Sequence, residues 1–78
     1  MIRYYLEFIL SAKNTSQEVI KNSLVEFGRD LKVVFLETAQ ADSPEYKINI
    51  NAEDPTIIFD TCSQFGRMKA IKIEERKE

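Results

Sequence analysis

Apolar and polar residues alternate from the start of the chain: Tyr4, Leu6, Phe8 and Leu10 share one face of an extended segment, and Arg3, Tyr5, Glu7 and Ile9 the other. A two-residue period marks a half-buried strand, so a first strand is predicted over 2–11. The period then changes. Val19, Ile20, Leu24 and Phe27 recur at helical spacing, Thr15 and Glu18 form a T-x-x-E capping box, and Gly28 supplies a stop, which predicts a helix over 15–27. The next run, "LKVVFLET" from Leu31 to Thr38, has the β-branched and aromatic content of a strand but is apolar on both faces, and a strand is predicted over 31–39. Alternation returns at Tyr46, Ile48, Ile50 and Ala52, giving a third strand over 45–52. A second helix over 54–65 follows, with Asp54 as N-cap, Pro55 at the first helical position, Ile57, Ile58, Cys62 and Phe65 as its stripe and Gly66 at its end. A last strand over 68–75 runs into the charged end "EERKE", expected to fray after Ile73.

The two halves are one unit repeated. "VIKNSLVEFGRDLKVVFLET" (Val19 to Thr38) aligns with "IIFDTCSQFGRMKAIKIEE" (Ile57 to Glu75) once Asp30 is skipped, with Phe-Gly-Arg shared and Lys32 opposite Lys69. Between the halves, "TAQADSPEY" carries an Asp-Ser-Pro turn signal, so the second strand turns back into the third. This β-α-β, β-α-β order resembles the ferredoxin-like superfold across the whole chain. The resemblance implies one α+β domain over 1–78, a βαββαβ sandwich whose four-stranded antiparallel sheet has order 4-1-3-2 and carries both helices on one face. A superfold of this kind identifies no function by itself.

The repeat also offers a register. Val34 and Leu36 lie opposite Ile71 and Ile73, so they are expected to face the helices, leaving Leu31, Val33 and Phe35 on the open side of the sheet. A slip of one residue would expose Val34 and Leu36 instead, so an apolar set is exposed either way. In the superfold this strand is an edge with unpaired backbone groups. Leu31, Val33 and Phe35 are therefore the candidate interface, and a homodimer joined through this strand is the expected assembly.

Composition narrows the chemistry. With 78 residues, 11 basic and 13 acidic side chains and a net charge of −2, the chain gives no electrostatic reason to expect nucleic acid as a partner. No run of about 20 apolar residues is present to span a membrane. The lone Cys62 cannot form an internal disulfide, which fits a cytoplasmic location, and its place on the helical stripe assigns it to the core. There is no histidine, which removes the usual general base, the usual zinc ligand and the partner of Ser-His or Cys-His nucleophiles. Glu53-Asp54 and Glu74-Glu75 are read as capping and solvated charge. No metal, cofactor or catalytic residue is expected.

Three functions are compatible with these features. The first is a non-catalytic interaction or regulatory module that self-associates through its second strand. ACT-type domains of this superfold bind metabolites at such interfaces, but the glycine they carry between the first strand and helix is missing here. The alternative is an anion- or metabolite-binding domain, with a minor enzymatic role open to it, using Lys13, Asn14, Thr15 and Ser16 ahead of the first helix. Acylphosphatases hold an anion in this loop, yet their arginine and glycine-rich turn are absent, as is the C-x-x-C of heavy-metal chaperones. A lesser alternative is single-stranded RNA binding on the open face, similar to RNA-recognition motifs, with Tyr5 as the one platform aromatic.

Overall fold

The computed structural model describes residues 2–37 and 44–77. Four strands, β1 (Ile2–Ala12), β2 (Arg29–Leu36), β3 (Glu45–Ala52) and β4 (Gly66–Lys77), alternate with two helices, α1 (Gln17–Leu24) and α2 (Pro55–Ser63). The sheet is antiparallel in every pairing and ordered β2-β3-β1-β4, which counted from the other edge is 4-1-3-2. β1 and β3 are therefore central, and β2 and β4 are edges. The class is α+β.

One face of the sheet builds the core. Leu6, Phe8 and Leu10 from β1 and Ile48, Ile50 and Ala52 from β3 have no exposed surface and share a cluster with Ile20, Leu24, Ile58 and Cys62 of the two helices. Phe8 meets Phe59 of α2 edge to face, with ring centroids 5.7 Å apart. No buried residue among those described is polar or charged, so burial here is almost purely hydrophobic in origin.

The helices differ from expectation at their ends. α1 is capped by Ser16, whose hydroxyl accepts from the Val19 amide at 3.3 Å, while Thr15 donates to the Lys13 carbonyl. The Thr15–Glu18 capping box is thus not formed, because Thr15 is spent on the turn before the helix. α1 gives way to a 3-10 turn at Val25–Phe27, and of its predicted stripe Val19 and Phe27 remain 47% and 40% exposed. α2 keeps Asp54 as cap, its carboxylate accepting from the Thr56 amide at 2.9 Å, with Pro55 as the first helical residue. The last strand is longer than predicted: β4 continues through the charged residues to Lys77, paired along β1, so the expected fraying after Ile73 does not occur over the described residues. Thr38 and Ala39 of the predicted second strand, and the first part of the Asp-Ser-Pro turn, lie outside the described residues.

Gly28 and Gly66 do not act as left-handed helix stops; neither has a positive φ. Each stands where an edge strand starts against its neighbour. A Cβ on Gly28 would meet the Asn51 carbonyl oxygen and the Ile50 side chain, and one on Gly66 would overlap the Ser11 carbonyl oxygen. The shared Phe-Gly-Arg marks close strand approach, a different use of the same residue.

The register of β2 is the main correction. Val33 is opposite Ile48 and only 6% exposed, so it faces the helices, and Phe35, opposite Tyr46, lies on the same side. Leu31 also packs against the core. Val34 and Leu36, opposite Lys47 and Glu45, point to the open face. The cause is a pair of bulges. In β2, three steps from Arg29 to Lys32 match two from Asn51 to Asn49, and Asp30 there has φ 54°. In β4, three steps from Lys69 to Lys72 match two from Ile9 to Glu7, and Ala70 there has φ 54°. Skipping Asp30 accounts for the first bulge, but the second falls inside the aligned segment and inverts the parity of everything after it.

Candidate functional site

Two places offer more than packing: the β2 edge and a cleft at one end of the open face. On β2, Val34 and Phe35 are each 50% exposed, and Leu36 is partly so. Phe35 leans on Tyr46, edge to face with centroids 5.7 Å apart, which shelters part of its ring on its own sheet. Gln17 of α1 donates to the Val33 carbonyl, so the chain itself already meets one acceptor of the strand.

The edges differ in what they present. β4 has the Ala70 bulge at its middle and charged side chains at Arg67, Lys69, Lys72 and Glu74 to Lys77, features that discourage strand addition. β2 has its bulge at the start, leaving Lys32 to Leu36 in regular register with Lys32 as the one charge. The open face between the edges is held by polar side chains. Asn49 donates to the Tyr5 hydroxyl and to Glu7, Lys47 lies 3.7 Å from Glu7, and the Arg76 guanidinium sits 5.0 Å from the Tyr5 ring centroid. Tyr5, the candidate RNA platform, is thereby covered by Arg76 and engaged by Asn49.

The cleft follows from register. Ser11 is opposite Glu45 on one side and Arg67 on the other, and Ile9 is opposite Lys69, so Glu45, Ser11, Arg67 and Lys69 share the open face at the end where β1 gives way to Lys13. With Phe65 as an apolar wall they surround a cleft of about 530 Å³. Ser11 donates to Glu45 at 3.1 Å, and Lys69 pairs with the same carboxylate. Gly66 lets β4 start tightly against Ser11 and so forms the cleft floor.

Of the loop residues proposed for an anion, only Lys13 lines this cleft. The other polar groups have internal duties: the Thr15 hydroxyl donates to Lys13, the Thr15 carbonyl accepts from Tyr46 at 3.1 Å, Ser16 caps α1, and Asn14 takes the left-handed turn with φ 54°. Arg67, Lys69, Ser11 and Glu45 come from three strands, so no local stretch of sequence announces them. The spacing of Arg67 and Lys69, two apart on one strand face, was the single visible signal.

Lys69 holds the Glu45 carboxyl below its ordinary value of 4.5, with help from the Ser11 hydroxyl and against partial desolvation. A carboxyl lowered in the folded state stabilises fully above its unfolded value and loses that contribution as pH falls through the lowered one. Glu45→Gln is therefore expected to be less stable than the parent at pH 7, with the gap closing below pH 4.5. Urea unfolding at pH 7 and pH 3 measures this; an equal gap at both would show that the pair contributes nothing.

Cys62 is fully buried, and burial pushes its thiol up to about 12, so it is not a thiolate at neutral pH. Among the described residues, no three His, Cys, Asp or Glu side chains gather to hold a metal, and no helix is long and apolar enough to cross a membrane. No protein-family model matches the chain, and no curated protein matches it significantly.

Proposed function

We propose that this chain is a ferredoxin-like, non-catalytic interaction module whose β2 edge pairs with that of a second copy. The observation that carries the reading is the contrast between edges: β2 offers five residues in regular register, Lys32 to Leu36, with Val34 and Phe35 half exposed, whereas β4 is interrupted by its bulge and crowded with charge. The interface is thus Val34, Phe35 and Leu36, in place of Leu31, Val33 and Phe35. The polar network on the open face argues for edge pairing over face-to-face stacking.

A second copy suits this edge because antiparallel self-pairing meets no charge conflict. With Val34 on the two-fold axis, Val33 lies opposite the partner's Phe35 and Lys32 opposite the partner's Leu36, so no like charges face each other. A strand presented to itself in this way joins two sheets into one of eight strands. The histidine-free chain and the buried Cys62 favour a binding role over a catalytic one, and the reduced lone thiol fits a cytoplasmic setting.

Light scattering after size exclusion is expected to give twice the 9.1 kDa chain mass. Val34→Lys, which sets two ammonium groups side by side on the axis, is expected to give the single-chain mass without loss of helix or strand signal. A parent protein of single-chain mass at about 100 μM, where even a weak dimer of micromolar Kd is populated, ends this reading.

A further inference from the structure

We infer that the cleft between β1, β3 and β4 binds the anionic group of a small organic phosphate, with Arg67 and Lys13 as its cationic contacts and Phe65 against its carbon portion. The inference rests on the charge left over in the cleft. Three cations, Lys13, Arg67 and Lys69, face a single carboxylate, Glu45. Glu45 is already satisfied by Lys69 and Ser11. Lys13 and Arg67 make no ion pair with any described residue, so two positive charges line the cleft of a chain whose net charge is −2.

The geometry suits an oxyanion. Arg67 carries a planar fork that can match two oxygens at once, and Lys13, which also lines the cleft, adds a point charge. Glu45 engages Lys69, which leaves Arg67 and Lys13 as the cleft cations without an ion-pair partner among the described residues. A volume of about 530 Å³ exceeds what inorganic phosphate fills and lies within the usual span of small-molecule sites. Phe65, partly buried and packed on the core, offers the extra space an apolar border. A phosphate monoester with a small apolar or planar group fits both halves.

The test uses inorganic phosphate and phenyl phosphate as probes, followed by amide NMR and calorimetry. Saturable shifts are expected at residues 11, 13, 45 and 65–69, with phenyl phosphate binding at least about fivefold tighter because its ring lies on Phe65. Arg67→Gln is expected to weaken both probes by at least about tenfold, and Lys13→Gln to weaken them by less, since a forked contact outweighs a point charge. Chloride at matched ionic strength is expected to leave the shifts absent. No saturable response up to about 10 mM of either probe, the same response to chloride, or unchanged affinity in Arg67→Gln each overturns the inference. The Val34→Lys variant retains every cleft residue, so binding measured in it separates this result from the fate of the dimer.

Discussion

Val33→Lys is expected to leave the protein largely unfolded at 25 °C, while Val34→Lys, one position along, leaves its fold intact. Val33 is 6% exposed among Ile48, Leu31 and the helices, whereas Val34 is 50% exposed on the opposite face. Losing the buried valine costs about 1.5–3 kcal/mol. An ammonium group with no partner in that core costs several more, and neutralising it instead costs the shift in its own protonation. A chain of this length has roughly 4–12 kcal/mol in total, so a combined loss of about 5–8 kcal/mol is comparable to it. Circular dichroism during thermal and urea unfolding reads both variants. A lower midpoint for Val34→Lys than for Val33→Lys would mean that β2 is paired in the other register, and equal midpoints would mean that Val33 is not buried against the helices.

Gly66→Ala is the second large effect, expected to cost about 3 kcal/mol or more, at the upper end of what overpacking does. The strain is not conformational, since Gly66 has no positive φ; the new methyl overlaps the Ser11 carbonyl oxygen, which is backbone and cannot rotate away. The first rungs between β4 and β1, Gly66 with Ala12 and Arg67 with Ser11, would have to part. Gly28→Ala makes a useful comparison because it also meets a carbonyl, that of Asn51, but its other neighbour is the movable Ile50 side chain. The prediction is a larger fall in urea midpoint for Gly66→Ala than for Gly28→Ala, with amide exchange speeding up at residues 10–12 and 66–68. Equal stability of Gly66→Ala and parent would show that β4 has room to retreat.

These two substitutions also show where sequence reading succeeds. Leu6, Phe8 and Leu10, and Ile48 and Ile50, alternate without interruption, so a rule of period two places them inward correctly. Asp54 and Pro55 start α2 through local bonds that depend on no distant residue. Parity after a bulge is different. Asp30 and Ala70 each add one residue against β3 or β1, and the addition is visible only when both strands of a pair are known. Asp30 at least suits the left-handed conformation, and its carboxylate accepts from Asn51 at 3.1 Å; Ala70 carries no such signal. The cleft was hidden for the same reason. Ser11, Glu45 and Arg67 are scattered along the chain and become neighbours only through the pairings of β1 with β3 and β4. Lys13 stands out in the sequence only as part of a helix terminus, whose hydroxyls prove to be occupied.

The kink at Ala70 bears on what the molecule avoids as much as on what it does. A small sheet with two receptive borders can add subunits head to tail without end, the route by which folded proteins become filaments. Here the inserted residue, with lysines on either side, spoils one border for stacking while the other stays regular. Growth through the remaining border alone would consume it on both molecules, so an assembly built that way would end at its first step.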